Sequence, residues 1–163
     1  MLSGLKVVVD EPVALNSIHV LTNTSFTMEA ASQIVALNDI LIDLSNAQAQ
    51  TATVTTLSST SGDLTIRADK SDSLVLGSSL SAGRHIVVQP QVTLTGNSIL
   101  ISADSDLDGE GAVQFPSSPS MAISAGSQVN QITILGVDLD LGGNLNAGDA
   151  AVRIGTSNHS TPT

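Results

Sequence analysis

The sequence predicts an all-β fold, a parallel β-helix (β-solenoid) of about seven turns of roughly 22 residues. The first observation behind this is a recurring hydrophobic strand. Asn16-Ser-Ile18-His-Val20, Asn38-Asp-Ile40-Leu-Ile42, Gly62-Asp-Leu64-Thr-Ile66 and Arg84-His-Ile86-Val-Val88 each carry a polar lead-in and then two apolar residues flanking one outward position. Ile18, Ile40, Leu64 and Ile86 stand 22, 24 and 22 residues apart, and Ile132 and Val152 head two further copies 20 apart. The second observation is composition. Hydrophobic residues make up 41 % of 163, yet Phe26 and Phe115 are the only aromatic ones. A wide globular core is usually filled by rings, whereas a narrow column of stacked Val, Ile, Leu and Ala needs none. The third is apolar–polar alternation, the pattern of strands with one buried face.

In chain order, residues 1–12 hold a short strand, Leu5-Lys-Val-Val-Val9, read as a possible cap; 13–155 form the solenoid; 156–163, ending Thr-Pro-Thr, are a tail or linker. Within the solenoid, secondary strands at 25–29, 33–37, 51–57 and 73–76 fill out turns of roughly triangular section. Residues 27–36 also carry a helix-compatible pattern and are read as strand because of the repeat around them. Asp39–Leu44, Gly62–Arg67 and Ile99–Ala103 alternate clearly, and in Val137-Asp-Leu-Asp-Leu141 the three aliphatic residues are expected inside with Asp138 and Asp140 outside. The 46 residues between Ile86 and Ile132 equal two periods, so one turn there is unmarked. Asp104–Pro119 is read as an inserted loop, with Pro116 and Pro119 breaking the ladder. Seven turns at the strand spacing give a rod about 30–35 Å long.

The chain carries 15 Asp and Glu against 5 Lys and Arg, a net charge of −10. That argues against nucleic acid and anionic membranes as partners, since both select clustered cations, and it favours cations as ligands. With no cysteine there are neither disulfides nor thiolate metal sites. No stretch approaches the ~20 apolar residues of a membrane span. The opening Met1–Asp10 is too short and too soon acidic for a signal peptide, and the chain is read as an excised piece of a longer protein.

Residues 101–113 (Ile-Ser-Ala-Asp-Ser-Asp-Leu-Asp-Gly-Glu-Gly-Ala-Val), 132–148 (Ile-Thr-Ile-Leu-Gly-Val-Asp-Leu-Asp-Leu-Gly-Gly-Asn-Leu-Asn-Ala-Gly) and 151–156 (Ala-Val-Arg-Ile-Gly-Thr) carry a family pattern. An Asp/Gly-rich turn precedes a strand, then an Asp-Leu-Gly-Gly strand and an Asn-Ala-Gly turn follow. This resembles the filamentous-haemagglutinin-like β-helix repeats of large bacterial surface and secreted proteins. The resemblance covers about a third of the chain strongly, and the remainder by periodicity alone. It implies a right-handed β-helix, export to the cell surface or beyond, and an adhesive or filamentous role.

One segment carries candidate chemistry. Asp104-Ser-Asp106-Leu-Asp108-Gly109-Glu110 places carboxylates two apart and closes with Gly, as the first half of a Ca²⁺ loop does. Phe115 stands where the bidentate Glu of such a loop belongs, so Glu110 or backbone carbonyls would complete the shell. The plainer reading is an acidic turn whose Asp side chains cap backbone N–H groups. Asp138 and Asp140, ~7 Å apart by strand rise, match the carboxylate separation of an inverting glycosidase, but no basic residues or aromatic platform accompany them. His19 and His85 lie three turns apart and share no site, and His159 is in the tail. The Thr-x-Thr runs at 51–55 and 93–95 are not repeated at the period, which argues against an ice-binding face.

The expectation is therefore a non-enzymatic structural segment of a surface or secreted fibre or adhesin, without a cofactor unless Ca²⁺. Its partner is itself by end-to-end stacking, or the rest of a larger rod. A calcium- or glycan-binding module is the alternative, and a polysaccharide-cleaving enzyme the third.

Overall fold

A computed structural model of the chain describes residues 2–9, 13–28, 32–44, 51–68, 72–89, 92–96, 99–115, 122–125, 131–142, 144–147 and 149–157. Among them there is no helix. The strands are β1 (Leu2–Val9), β2 (Val13–Leu15), β3 (Ile18–Met28), β4 (Gln33–Ala36), β5 (Ile40–Asp43), β6 (Thr51–Ser59), β7 (Leu64–Arg67), β8 (Asp72–Ala82), β9 (Ile86–Val88), β10 (Val92–Gly96), β11 (Ile99–Ser102), β12 (Ala112–Phe115), β13 (Ala122–Ala125), β14 (Gln131–Leu135), β15 (Asp138–Leu141), β16 (Asn144–Asn146) and β17 (Ala151–Gly155). Every pairing between them is parallel, each strand lying on its counterpart from the neighbouring turn. The fold is a parallel β-solenoid.

The long strands β1, β3, β6 and β8 bend between two faces, so the ladders define three sides. On face A, Ile18, Ile40, Leu64, Ile86, Val113 and Leu139 stack one above another. On face C the column is Val13, Ile34, Leu57, Leu80, Ile101, Ile134 and Ile154. Face B runs through β1, β3, β6, β8, β10, β13 and β16. Like stacks on like because a parallel ladder in register sets equivalent residues one strand spacing apart, about 4.8 Å. The outcome is one continuous aliphatic interior, with Ile34, Ile42, Val54, Leu64, Ile86 and Ile101 fully buried. Both phenylalanines, Phe26 and Phe115, belong to it at 0 % exposure.

Residues 33–36 form a strand, as expected over the helical alternative. Four expectations are corrected. About four turns, those headed by Ile18, Ile40, Leu64 and Ile86, hold the regular spacing, rather than seven. Beyond Val88 the face A ladder continues with wider steps, 27 residues from Ile86 to Val113 and 26 from Val113 to Leu139. Second, the rung after Ile86 is therefore Val113, not an unmarked strand before Ile132. Ile132 pairs with Ile99 and Val152 on face C, a different side of the coil. Third, the widened turn ends sooner than Pro119, because Ala112–Phe115 is already β12; Pro116 and Pro119 lie outside the described residues. Val137 is 39 % exposed rather than inside, while Leu139 and Leu141 pack on the core and Asp138 and Asp140 face out as expected.

Candidate functional site

The corner leading into face A uses its polar residues in a repeating way. Asp39 Oδ1 accepts the Asp63 backbone N–H (3.0 Å), Asp63 Oδ1 accepts that of His85 (3.2 Å), and His85 Nδ1 accepts that of Ala112 (3.1 Å). Each acceptor occupies the position just before the first apolar residue of its rung and holds the equivalent position of the next turn. Short Asp side chains suit such turns because they reach nearby backbone donors. His85 does the same work with a ring nitrogen, which requires that Nδ1 be unprotonated. Behind the corner, Ser59, 0 % exposed, donates its hydroxyl to the Asn38 carbonyl and accepts the Gly62 N–H at 3.0 Å. Turns pass so close here that a Cβ on Gly62 would lie 2.5 Å from the Asn38 carbonyl carbon, and one on Gly83 would lie 2.3 Å from the Thr60 oxygen.

The acidic segment forms the wide turn between β11 and β12. Asp104 and Leu107 take left-handed backbone conformations (φ 57° and 61°), unusual outside glycine, and Gly109 follows at φ 91°. Asp104 is fully buried. Its Oδ1 accepts the Gly109 N–H at 3.0 Å and its Oδ2 accepts the Ser157 hydroxyl. Asp108 Oδ1 accepts the Glu110 N–H at 2.8 Å. Gly111 lets the turn close, since a Cβ there would stand 2.3 Å from the Asp104 nitrogen. Of the four residues expected to meet a cation, Asp104, Asp106 and Asp108 bring carboxylate oxygens within 4.8 Å of one another, whereas Glu110 is not part of that group. Asp104 and Asp108 are engaged in holding backbone N–H groups, as an acidic capping turn requires, whereas Asp106 makes no such bond among those described.

A second polar cluster was not visible in the sequence. Asp43 is 2 % exposed on face A, and the Arg67 Nη2 of the next rung lies 2.7 Å from its Oδ2. His19, one rung the other way, holds Nε2 at 3.9 Å from the same oxygen; that nitrogen is shielded from solvent and makes no hydrogen bond. Asp43 and Arg67 are register partners 24 residues apart, the spacing of Ile40 and Leu64, and that is the one signal that could have paired them. His19 and His85 belong to separate clusters, as expected; His159 lies outside the described residues. Asp138 and Asp140 are both exposed on β15.

The side-chain geometry thus consists of turn caps and cross-rung pairs, arrangements that hold a coil together. No protein-family model matches the chain, and no curated protein or solved structure is significantly similar to it.

Proposed function

We propose that this chain is a structural scaffold, a β-solenoid segment of a bacterial surface or secreted fibre or adhesin that acts as a stalk or rod. The observation that carries the reading is the face C column. Ile34, Leu57, Leu80, Ile101 and Ile134 are each at most 1 % exposed and follow one another rung by rung. Polar groups around it serve the turns. A shape built this way separates what is attached to its two ends and needs no chemistry of its own. The resemblance of residues 101–113, 132–148 and 151–156 to filamentous-haemagglutinin-like repeats supports placing it outside the cell. The acidic balance supports solubility there.

The test is localisation of the protein in cells that make it. Recovery in the medium, or removal from intact cells by added protease, is the expected result. Retention with cytosolic markers would reject the reading. In the same preparation, acidic polysaccharides are expected to be left uncleaved.

A further inference from the structure

The wide turn between β11 and β12 contains a peptide bond unlike any other in the chain. Asp108-Gly109 is the only place where an Asp or Asn precedes glycine. A backbone nitrogen can attack the side-chain carboxyl carbon of the residue before it. A Cβ next to that nitrogen crowds the approach, and glycine has none. Asp108 is exposed, so its carboxyl group meets water and protons freely. Its Oδ1 accepts the Glu110 N–H at 2.8 Å, and the ring closed by that bond contains the Gly109 nitrogen. The carboxyl group is thereby folded back over the peptide it would join. Leu107, just before, is held at φ 61° and is 50 % exposed. A branched side chain is costly in that conformation, so the strain at Leu107 favours opening of the turn.

We propose that Asp108-Gly109 is a modification site at which Asp108 converts to isoaspartate through a cyclic imide, and that Asp104 holds the reaction back in the folded chain. The inference goes beyond the scaffold reading and does not depend on it. In the first step the Gly109 nitrogen bonds to Cγ of the protonated Asp108 carboxyl group. The proton of that nitrogen and the hydroxyl of the carboxyl group depart as water. In the second step water adds to the imide. Cleavage of the new Cγ–N bond restores aspartate. Cleavage between the nitrogen and the main-chain carbonyl carbon leaves the backbone running through Cβ and Cγ. The water lost is regained, so only the connectivity changes. The restraint lies in the same turn. The Gly109 N–H, whose proton must leave, is donated to Asp104 Oδ1 at 3.0 Å. Asp104 is fully buried, and its Oδ2 accepts the Ser157 hydroxyl. A deprotonated nitrogen is disfavoured beside a buried carboxylate, so the turn must open before the ring can close. With one methylene more in the main chain, the spacing that brings the Gly109 N–H onto Asp104 is gone. The turn then loses the bond that fixes its buried carboxylate from within.

Purified chain is incubated for weeks at neutral pH in oxygen-18 water, alongside the same chain unfolded in guanidinium chloride. Digestion in ordinary water then yields the peptide around residue 108. Its isoaspartyl form elutes separately, is labelled by isoaspartyl methyltransferase and carries one oxygen-18. Conversion at Asp108 is expected to be at least about tenfold slower in the folded chain, because the reaction waits for local opening. Asp104→Ala should bring the folded rate most of the way to the unfolded one and leave the rate in denaturant unchanged. Asp104→Asn keeps an acceptor for the Gly109 N–H and should fall between them. A circular dichroism melt establishes that each variant is folded at the incubation temperature. Gly109→Ala in denaturant, where its backbone conformation no longer matters, should suppress conversion. Absence of isoaspartate at Asp108 in denaturant, product without oxygen-18, or equal rates folded and unfolded would overturn the proposal. So would a slower reaction in Asp104→Ala than in wild type, which would make Asp104 the base that takes the proton.

Discussion

The Ser157 hydroxyl donates to Asp104 Oδ2 across 53 positions of sequence, tying the end of the last rung to the wide turn between β11 and β12. The same end is held by the Ser157 N–H on the Gly136 carbonyl at 3.3 Å. A single buried carboxylate thus serves both its own turn, through Gly109, and the closing segment of the coil. Asp104→Ala removes both contacts and leaves a left-handed backbone without a residue suited to it. A loss of about 1–3 kcal/mol is expected by urea denaturation. Asn tolerates that conformation and keeps an acceptor, so Asp104→Asn should lose clearly less; equal losses would refute the account.

Since Asp104 and Asp108 are already engaged with backbone N–H groups, melting temperature is expected to be the same in EDTA and in millimolar Ca²⁺. A rise with Ca²⁺ that disappears in Asp106→Ala, a residue with no capping bond among those described, would instead assign the turn to a cation.

His85 occupies a position filled by carboxylates at Asp39 and Asp63. Its neutral form must carry the ring proton on Nε2, which nitrogen-15 chemical shifts report directly. His85→Leu orphans the Ala112 N–H and should cost about 1–2 kcal/mol. His85→Asp restores the acceptor type of the preceding rungs and should be within about 0.5 kcal/mol of wild type. A proton on Nδ1 would contradict the ladder.

Glycines at the corner and at the end should respond in opposite ways. Gly83→Ala places a methyl 2.3 Å from a carbonyl oxygen and 2.7 Å from the Ser61 Cα, atoms of backbone that cannot step aside. Loss of the cooperative transition, or several kcal/mol, is expected. Gly155→Ala meets nothing within 4 Å and should change stability by no more than about 0.5 kcal/mol.

Ile40 is 1 % exposed and lies between Ile18 and Leu64 in the face A column. Ile40→Ala should cost about 2–5 kcal/mol. Ile40→Asp puts an unpaired charge among aliphatic side chains and should prevent folding. A circular dichroism melt matching wild type for Ile40→Asp would show that the interior is not the continuous column described.

The four rungs headed by Ile18, Ile40, Leu64 and Ile86 were legible because Ile-x-Ile or its equivalent follows a turn residue at nearly constant spacing. Legibility failed at Ala112-Val-Gln-Phe115, where an aromatic residue takes the second position of the apolar pair and the wide turn shifts the phase. Ile132-Thr-Ile134 looks identical to a face A strand, yet stacks on Ile99. Alternation tells which way a side chain points but not which of three sides carries it. The same limit governs the polar clusters. Asp104, Asp106 and Asp108 are close in sequence and could be grouped by eye, whereas the position of Glu110 outside that group follows only from the fold of the turn. Asp43 with Arg67, and Asp39 with the Asp63 backbone, meet only through register, so their pairing becomes visible once each rung is laid on the next.

The direction of the ladders has a mechanical consequence. Hydrogen bonds between rungs lie along the rod, so tension applied through its ends loads them one rung at a time rather than all together. A rung of some 22 residues occupies about 4.8 Å of rod but pulls out to about 70–75 Å of extended chain. Under load the molecule would lengthen in steps of roughly that size, giving way in sequence and dissipating work at each step. A tether with that property yields gradually where a globular linker would hold and then snap open.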